Sequence, residues 1–433
     1  MILFISTIFV TIITSLYFFP IDITKDVNTK MIIAACGALV FLVKLAQKEI
    51  FLEKNYIALS LSALTVSLCG ALSLWYNDTA DLAYATYIVS MWVWLGGAYF
   101  VVQLIKFIHG KDSIFLLCNY LILVCVLQCI IALATDMNPT VKSLVDSIYS
   151  GGDYYAEHDR LYGIGAALDV AGSRFSAALI MIMCLGITYG KKLEKRWLTF
   201  YMLSFFIIAV IGNMIARTTT IGIILALGYL ILESLRSNVT DENRSKIRIW
   251  KWLFPMIIIG IPITVYFYRH DPTINQNISF AFEGFFSLVE KGKWEVHSND
   301  MLQNMYVFPD NLKTWIIGDG YFANPNTTDP YYTGSMRTDF YMGTDVGYLR
   351  FIFYFGVLGL ITFMSFFCNA ARLCMKRLVQ FKYMFIFLLL LNFIIWFKVA
   401  TDIFVVFAPF LCLAASGNED DDDEVKDKEL AEA

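Results

Sequence analysis

Long apolar runs, separated mostly by short polar segments, alternate along almost the whole chain. About 17 to 25 apolar residues are enough for an α-helix to cross a bilayer. The runs that approach or reach this length are residues 2–19, 31–46, 56–75, 82–107, 113–135, 173–190, 197–215, 219–234, 249–268, 345–369, 382–397 and 402–416. The pattern predicts an all-α, polytopic integral membrane protein with about 12 transmembrane helices.

The last two runs are separated by charged residues. Lys398 and Asp402 interrupt the apolar pattern between them, and the last run is short. Irregular backbone inside a membrane is tolerated where it is buried in protein. Residues 382–416 can therefore form either two spans or one span followed by a re-entrant segment.

Basic residues are concentrated in alternate connections between the runs. They occur at residues 44–54, 106–111, 191–196, 236–251 and 372–382. Because short loops rich in Lys and Arg remain on the cytoplasmic side, this bias predicts that both termini are cytoplasmic.

Two long polar loops then fall on the opposite face, at about residues 135–172 and 269–344. Loops of this length are often functional. We treat residues 1–416 as one membrane domain. The segment 417–433 is strongly acidic, and we expect it to be a disordered cytoplasmic tail.

Composition agrees with a membrane protein and excludes several other classes. The chain is 58% hydrophobic and only 16% charged, which is too apolar for a soluble domain of 433 residues. Much of its net charge of -4 comes from the acidic tail, and no basic patch predicts a nucleic-acid partner. Neither long loop contains a cysteine, so we expect no disulfides there.

The sequence offers no motif for metal or cofactor chemistry. The four histidines are scattered and lack the spacing of metal ligands on one helix face. There is also no phosphate-binding P-loop, no dinucleotide fingerprint and no serine nucleophile elbow. We therefore predict no metal and no cofactor.

Arginines recur on the predicted non-cytoplasmic face. Arg160 lies in the first long loop, Arg174 at the start of the sixth run, Arg217 between the seventh and eighth runs, and Arg337 in the second long loop. Arginine binds phosphate through a bidentate fork and stays charged at any working pH. Several arginines could thus converge on a diphosphate. The alternative for Arg174 and Arg217 is snorkelling to the lipid headgroups.

Charged residues also mark the end of the second long loop. Asp345, Tyr348 and Arg350 stand where this loop enters an apolar run, and ionisable groups are costly near the bilayer. Helical spacing would put Tyr348 on the face of Asp345 and turn Arg350 away, so we expect Arg350 not to neutralise Asp345. Asp345 is then a candidate general base, with a helix N-cap as the alternative.

The second long loop is rich in aromatic residues. Trp315, Tyr321 and Tyr341, together with Tyr348 at the loop exit, offer flat apolar faces with polar edges, which suit sugars. Asp319 and Asp339 lie on the same loop as further acids. A membrane-interface belt is the alternative for any single ring, but the set favours a carbohydrate cleft.

The order of four motifs resembles the bacterial O-antigen polymerase (Wzy-type) family, which is related to the O-antigen ligases. The resemblance covers roughly residues 155–360. The motifs are RLYGIGAALDVAGSRFSAALI, GNMIARTTTIG, IIGDGYF and TDVGYLRFIFYFGVLG. Ligases carry a histidine motif at the exit of their long loop, where this chain has Asp345.

The resemblance implies a metal-independent glycosyltransferase of the bacterial inner membrane. It would join oligosaccharide repeat units linked to undecaprenyl pyrophosphate at the periplasmic face, with a chain-length regulator as a further partner. We expect Asp345, or otherwise Asp339, to act as the base. The diphosphate would be bound by Arg160, Arg174, Arg217, Arg337 and Arg350, and the glycan by Trp315, Tyr321, Tyr341 and Tyr348.

Two other functions fit the same architecture. An O-antigen ligase would transfer the glycan to lipid A core. A transporter or flippase would also need many spans, but it would show internal symmetry and charges at the membrane midplane. The sequence shows no convincing repeat, and its charges are concentrated near one face.

Overall fold

The computed structural model describes residues 2–24, 26–49, 53–149, 160–189, 194–236, 240–293, 295–325 and 340–414. Within these ranges the regular structure is helical and contains no strand. Only two isolated β-bridges occur there, Asp22 to Asn28 and Ala323 to Phe340. The predicted all-α class is confirmed for the described part of the chain.

The helices follow the predicted apolar runs closely. The first ten are α1 (Ile2–Phe18), α2 (Thr29–Ala46), α3 (Lys54–Asn77), α4 (Tyr87–His109), α5 (Ile114–Met137), α6 (Pro139–Ile148), α7 (Leu168–Thr188), α8 (Lys195–Ile215), α9 (Thr219–Arg236) and α10 (Thr240–His270). The later ones are α11 (Pro272–Ala281), α12 (Glu283–Lys291), α13 (His297–Asn304), α14 (Leu312–Ile317), α15 (Gly347–Arg377), α16 (Lys382–Ile395) and α17 (Phe404–Leu411). Every predicted run contains a helix.

Eight helices in the described ranges are long and apolar enough to cross a membrane. They are α2, α3, α4, α5, α7, α8, α9 and α15. Helices α1 and α16 are apolar but shorter. The protein is therefore a multi-pass membrane protein.

The segment after α16 crosses the bundle from end to end, although only part of it is helical. Helix α17 has eight residues, or about 12 Å, against a bilayer core of about 30 Å. At one end of the segment, Lys398 pairs with Asp169 at the start of α7. At the other end, the Ala414 amide donates to Asp112 in the α4–α5 connection. Of the two predicted alternatives for residues 382–416, the structure favours a second crossing, made partly by buried irregular backbone.

Helix α7 lies at the centre of the bundle. It packs against α5, α8, α9, α10 and α16, and almost all of its residues are buried. A Cβ atom added to Gly222 of α9 would lie 2.3 Å from the Cα of Ser176, so the two backbones are in direct contact there. Small residues commonly permit such approaches between membrane helices. This contact holds the α8–α9 turn, which contains Arg217, beside the N-terminal end of α7.

Helix α15 is broken one third of the way along, and the loop after α14 fills the break. Gly356 has φ 68° and ψ -176°, which are not helical angles. The carbonyls freed by the break accept hydrogen bonds from the loop: the Asp319 amide donates to Phe353 O at 2.6 Å, and the Gly320 amide donates to Tyr354 O at 3.1 Å. The motif IIGDGYF is thereby attached to the membrane helix that follows Asp345.

Replacing Gly356 by alanine should destabilise the protein. Its backbone conformation is almost restricted to glycine and costs other residues about 1–3 kcal/mol. An added Cβ would also lie 2.1 Å from Ile316 O. Thermal unfolding of the purified protein in detergent should show a lower Tm for Gly356→Ala. Gly228→Ala is the matched control, because its Cβ would meet only Phe387, at 3.9 Å. Equal Tm values for the two variants would contradict the prediction.

Three of the connections rich in basic residues, those that contain Glu53, Asp112 and Arg377, lie at one end of the bundle. Arg377 at the end of α15 pairs with Glu53 just before α3, and Lys106 near the end of α4 pairs with Asp112 at 3.0 Å. The N-terminal ends of α7 and α15 lie at the opposite end. The candidate site is at that opposite end.

Candidate functional site

A cavity of about 390 Å³ opens where the N-terminal ends of α7 and α15 meet the helices of the second long loop. We call it the charged cavity. Its lining residues are Arg160, Leu168, Asp169, Ala216, Arg217, Phe280, Met301, Leu302, Met305, Phe340, Asp345 and Lys398. Three of the residues predicted for the site from sequence, Arg160, Arg217 and Asp345, are therefore brought together.

Asp345 is partly buried at the wall of this cavity. Its Oδ1 atom is inaccessible and has no hydrogen-bond partner among the described residues. The pKa of Asp345 is raised to about 6, mainly by burial; the neighbouring carboxylate of Asp169 contributes to the rise, whereas Arg350 and Lys398 oppose it. A carboxylate with such a pKa is a stronger base than an ordinary one and is largely ionised at neutral pH.

The interpretation of Asp345 as a helix cap is wrong. Helix α15 begins at Gly347, its N-cap is Val346, and no side chain caps it. The Tyr348 amide instead donates to Trp396 O at 3.1 Å. The carboxylate of Asp345 is thus not needed to start the helix.

The expectation that Arg350 points away from Asp345 is also wrong. Its Nη1 atom lies 3.6 Å from Asp345 Oδ1, which is an ion pair without a hydrogen bond. Asp345 precedes the helix, and Val346 is extended with φ -60° and ψ 116°, so helical spacing does not apply between these positions. For the same reason Tyr348 is not placed beside Asp345. Its hydroxyl donates to Phe393 O at 3.0 Å.

Arg350 lies behind the cavity wall and not in the lining. Its guanidinium is between two rings, 3.7 Å from the centroid of Phe322 and 4.5 Å from that of Phe340. Its Nη2 donates to Phe322 O at 3.0 Å. The geometry makes Arg350 a residue that holds the loop and sets the charge near Asp345, not a direct contact for a diphosphate as expected from sequence.

Arg160 and Arg217 lie on the same ring of the cavity wall. Their guanidinium carbons are 5.6 Å and 4.0 Å from the centroid of Phe280. Arg217 also donates from Nε to Phe280 O at 2.8 Å, and its Nη2 is 2.7 Å from Glu283 Oε2. Burial lowers the pKa of Arg217, and Glu283 opposes that shift. An arginine remains charged under such a change.

Sequence reasoning missed an ion pair in the same cavity. Lys398 Nζ lies 2.8 Å from Asp169 Oδ1, and both side chains are partly exposed. The sequence marked each residue separately: Asp169 is part of the first motif, and Lys398 interrupts an apolar run. Their pairing follows from the packing of the α16–α17 segment beside α7, which is a tertiary contact.

Arg174 is not in the charged cavity. Gly172 faces the α8–α9 turn, and a position two residues later lies about 200° further around the helix. The guanidinium of Arg174 is instead among the rings of Phe18, Phe19 and Trp94, at 5.2 to 5.9 Å from their centroids. Since Arg174 is only 5% exposed, it does not snorkel either. Both interpretations of this residue are therefore wrong.

A second cavity, of about 610 Å³, lies on the other side of the segment that leads into α15. We call it the polar cleft. Its lining residues are Asn77, Thr79, Val307, Phe308, Pro309, Asp310, Asn311, Lys313, Thr314, Asp319, Tyr321, Tyr341, Met342 and Phe353. Two of the residues predicted for the glycan, Tyr321 and Tyr341, are among them. Trp315 is not, because it donates to Pro309 O at 2.9 Å and stacks on Phe308.

The two cavities are close neighbours. Phe340 lines the charged cavity and Tyr341, the next residue, lines the polar cleft. An apolar cluster of Val346, Leu349 and Phe353 packs beneath this segment. The segment between the cavities is thus supported from below and can present groups to both sides.

Two predicted site residues, Arg337 and Asp339, lie outside the described residues. Within the described ranges, no three His, Cys, Asp or Glu side chains are close enough to form a metal site.

Comparison with models of protein families, with curated proteins and with solved structures finds no match. The fold and the site define the class only as a polytopic, all-α membrane protein with a charged cavity at one end of the bundle.

Proposed function

We propose that this protein is a metal-independent membrane glycosyltransferase that polymerises lipid-linked oligosaccharide repeat units, as O-antigen polymerases do. The observation that supports it best is the composition of one cavity. Asp345, whose side chain is partly exposed, lines the same 390 Å³ cavity as the cations Arg160, Arg217 and Lys398. A base and several cations are the two requirements for glycosyl transfer from a diphosphate without a metal.

The reaction would proceed by attack of an acceptor hydroxyl on the donor sugar. Asp345 takes the proton of the hydroxyl as its oxygen bonds to the anomeric carbon. The bond from that carbon to the phosphate oxygen breaks, and its electron pair leaves with the diphosphate. Arg160, Arg217 and Lys398 bind the negative charge of that leaving group. The proton on Asp345 then passes to solvent.

In this proposal the chain crosses the bacterial inner membrane about twelve times, with both termini in the cytoplasm and the charged cavity on the periplasmic side. The loops at about 135–172 and 269–344 are then periplasmic. The gathering of Arg377 and Lys106 at the end opposite the cavity supports this orientation, because such residues are retained in the cytoplasm.

The orientation predicts which engineered cysteines are accessible from outside. In a background without native cysteines, Val289→Cys on α12 should react with a membrane-impermeant thiol reagent in intact spheroplasts. Val289 is 84% exposed. Arg196→Cys at the start of α8 is the control and should react only after lysis. The reverse result would place the charged cavity in the cytoplasm and overturn the mechanism.

The glycans of a strain that lacks the protein test the function itself. Loss of a polymerase should leave surface lipid capped with single repeat units. Long chains that are not attached to lipid A core would indicate a ligase. Repeat units retained on the cytoplasmic face, with no surface glycan, would indicate a flippase. The concentration of charge in one cavity at one end of the bundle favours the polymerase over transport.

If Asp345 is the base, polymer formation should depend on pH. Asp345 must be ionised to accept a proton, so the rate in membrane vesicles should fall as the pH drops through about 6. Because Arg350 lowers the pKa of Asp345, Arg350→Gln should raise that pKa and move the decline to higher pH. Arg196→Gln, at the other end of the bundle, should leave it in place. A decline at the same pH in all three proteins would contradict this role of Asp345.

A further inference from the structure

We propose that the polar cleft binds a saccharide made of uncharged or amino sugars and rejects uronic acids. The inference rests on the proposed function to the extent that this saccharide belongs to the lipid-linked repeat unit. It goes further by naming a separate site and the charge class of the sugars.

The cleft has the surfaces that a sugar ring requires. The rings of Tyr321 and Tyr341 lie 5.3 Å apart at 38°, and both side chains are partly exposed. Such rings offer apolar faces on which the CH groups of a sugar can pack. With a volume of about 610 Å³, the cleft is larger than the charged cavity and is bordered by side chains with amide, hydroxyl and carboxylate groups.

The cation of the described cleft lining, Lys313, is already hydrogen-bonded to other groups of the protein. Lys313 Nζ donates to Asp319 Oδ1 at 2.6 Å, to Asn77 Oδ1 at 2.7 Å and to Gly318 O at 3.2 Å. An ammonium group has three donors, and these three bonds use them all. Lys313 is the only basic residue among the described residues that line the cleft, so this described lining has no cation left for a sugar carboxylate.

Asp310 in the cleft lining, unlike Lys313, can still form further hydrogen bonds. Asp310 is exposed, and its Oδ1 accepts one hydrogen bond, from Asn311 at 3.0 Å. A carboxylate can accept about four hydrogen bonds, so it can take further bonds from sugar hydroxyls or from an ammonium group. Lys313 balances Asp319, and Asp310 therefore leaves the described lining with a negative charge. This charge repels a uronate and attracts an amino sugar.

The position of the cleft connects it to the chemistry. Since Phe340 and Tyr341 are consecutive and line different cavities, a saccharide seated on Tyr341 lies one residue away from the charged cavity. An oligosaccharide that crosses this segment can reach Asp345 with a terminal sugar. The cleft thus selects the glycan while the charged cavity performs the transfer.

Saturation-transfer NMR on the full-length protein in detergent tests the proposal without turnover. The probes are a disaccharide of N-acetylglucosamine, a disaccharide of glucosamine and a disaccharide of galacturonic acid. We expect signals from the first two and none from the third. Tyr341→Ala should lose most of the signal, whereas Tyr76→Ala, an exposed tyrosine outside the cleft lining, should keep it.

A charge reversal gives a second test that does not depend on removing a buried contact. Asp310 is on the surface, so Asp310→Lys should fold normally and should now give a signal with the galacturonic acid probe. Binding of that probe to the unmodified protein, no binding of any probe, or an unchanged signal in Tyr341→Ala would overturn the proposal. Polymerase activity in a protein that binds no neutral sugar would refute saccharide binding in the polar cleft but not the polymerase function. Sugar binding in a protein whose absence leaves polymer length normal would refute the polymerase function alone.

Discussion

Asp345→Asn should abolish polymer formation while the protein is still made in normal amounts. Asparagine has nearly the same size as aspartate but cannot accept a proton. A general base contributes about 10²- to 10⁴-fold to a rate, which sets the expected loss. The structure adds that Asp345 does not cap α15, so the substitution removes no helix-starting hydrogen bond. The measurement is the rate and length of polymer made by membranes with a defined lipid-linked repeat unit.

A matched control is available at the same end of the bundle. Asp146 on α6 accepts a hydrogen bond from Tyr162 at 2.7 Å and does not line either cavity. Asparagine at this position can still accept that bond, so Asp146→Asn should polymerise normally. The amount of each variant in the membrane and its thermal unfolding separate catalysis from folding.

Near-normal chain length in Asp345→Asn would mean that another group is the base. Asp169 would be the next candidate, because its carboxylate also lines the charged cavity. Asp319 would be a poor substitute, since Lys313 and Thr314 both donate to its Oδ1 at 2.6 and 2.7 Å. Binding of the donor should persist in Asp345→Asn, because removing a negative charge from the cavity does not weaken its attraction for a diphosphate.

The helices could be predicted from sequence because the length of an apolar run is itself the physical requirement for crossing a bilayer. The break in α15 could not. The stretch 351–361 around Gly356 is apolar throughout, and glycine is common in membrane helices, so nothing local marks Gly356 as non-helical. The break depends on the loop after α14, whose amides satisfy the carbonyls of Phe353 and Tyr354.

The site was predictable where a charged residue stood in a predicted non-cytoplasmic loop, in a short turn between two runs, or at the junction of a loop and an apolar run. Arg160, Arg217 and Asp345 were found in this way. The partners were not, because only packing brings Glu283 to Arg217 and Asp169 together with Lys398.

Arg350 and Tyr348 were misplaced for a different reason. Helical spacing holds only from Gly347 onward, and Asp345 precedes the helix.

Arg217→Lys should lose nearly as much activity as Arg217→Ala. Two guanidinium nitrogens of Arg217 contact Phe280 O and Glu283, and the guanidinium carbon lies 4.0 Å from the centroid of the Phe280 ring. Lysine has one nitrogen at the end of a flexible stem and cannot hold this geometry while it meets a phosphate. Loss of one or two hydrogen bonds to charged groups, at about 1.5–3 kcal/mol each, corresponds to a rate decrease of about 10-fold or more.

Glu283→Gln separates a phosphate-binding role of Arg217 from a purely structural one. If Arg217 only anchors α12, then Glu283→Gln and Arg217→Lys should lower Tm and activity alike. If Arg217 also binds the donor diphosphate, Arg217→Lys should raise the KM for the lipid-linked donor much more than Glu283→Gln does. Arg196→Lys, far from the cavity, should match the unmodified protein in both measurements. Full activity in Arg217→Lys would show that only the positive charge of Arg217 is needed. Full activity in Arg217→Ala would show that Arg217 has no role in the site.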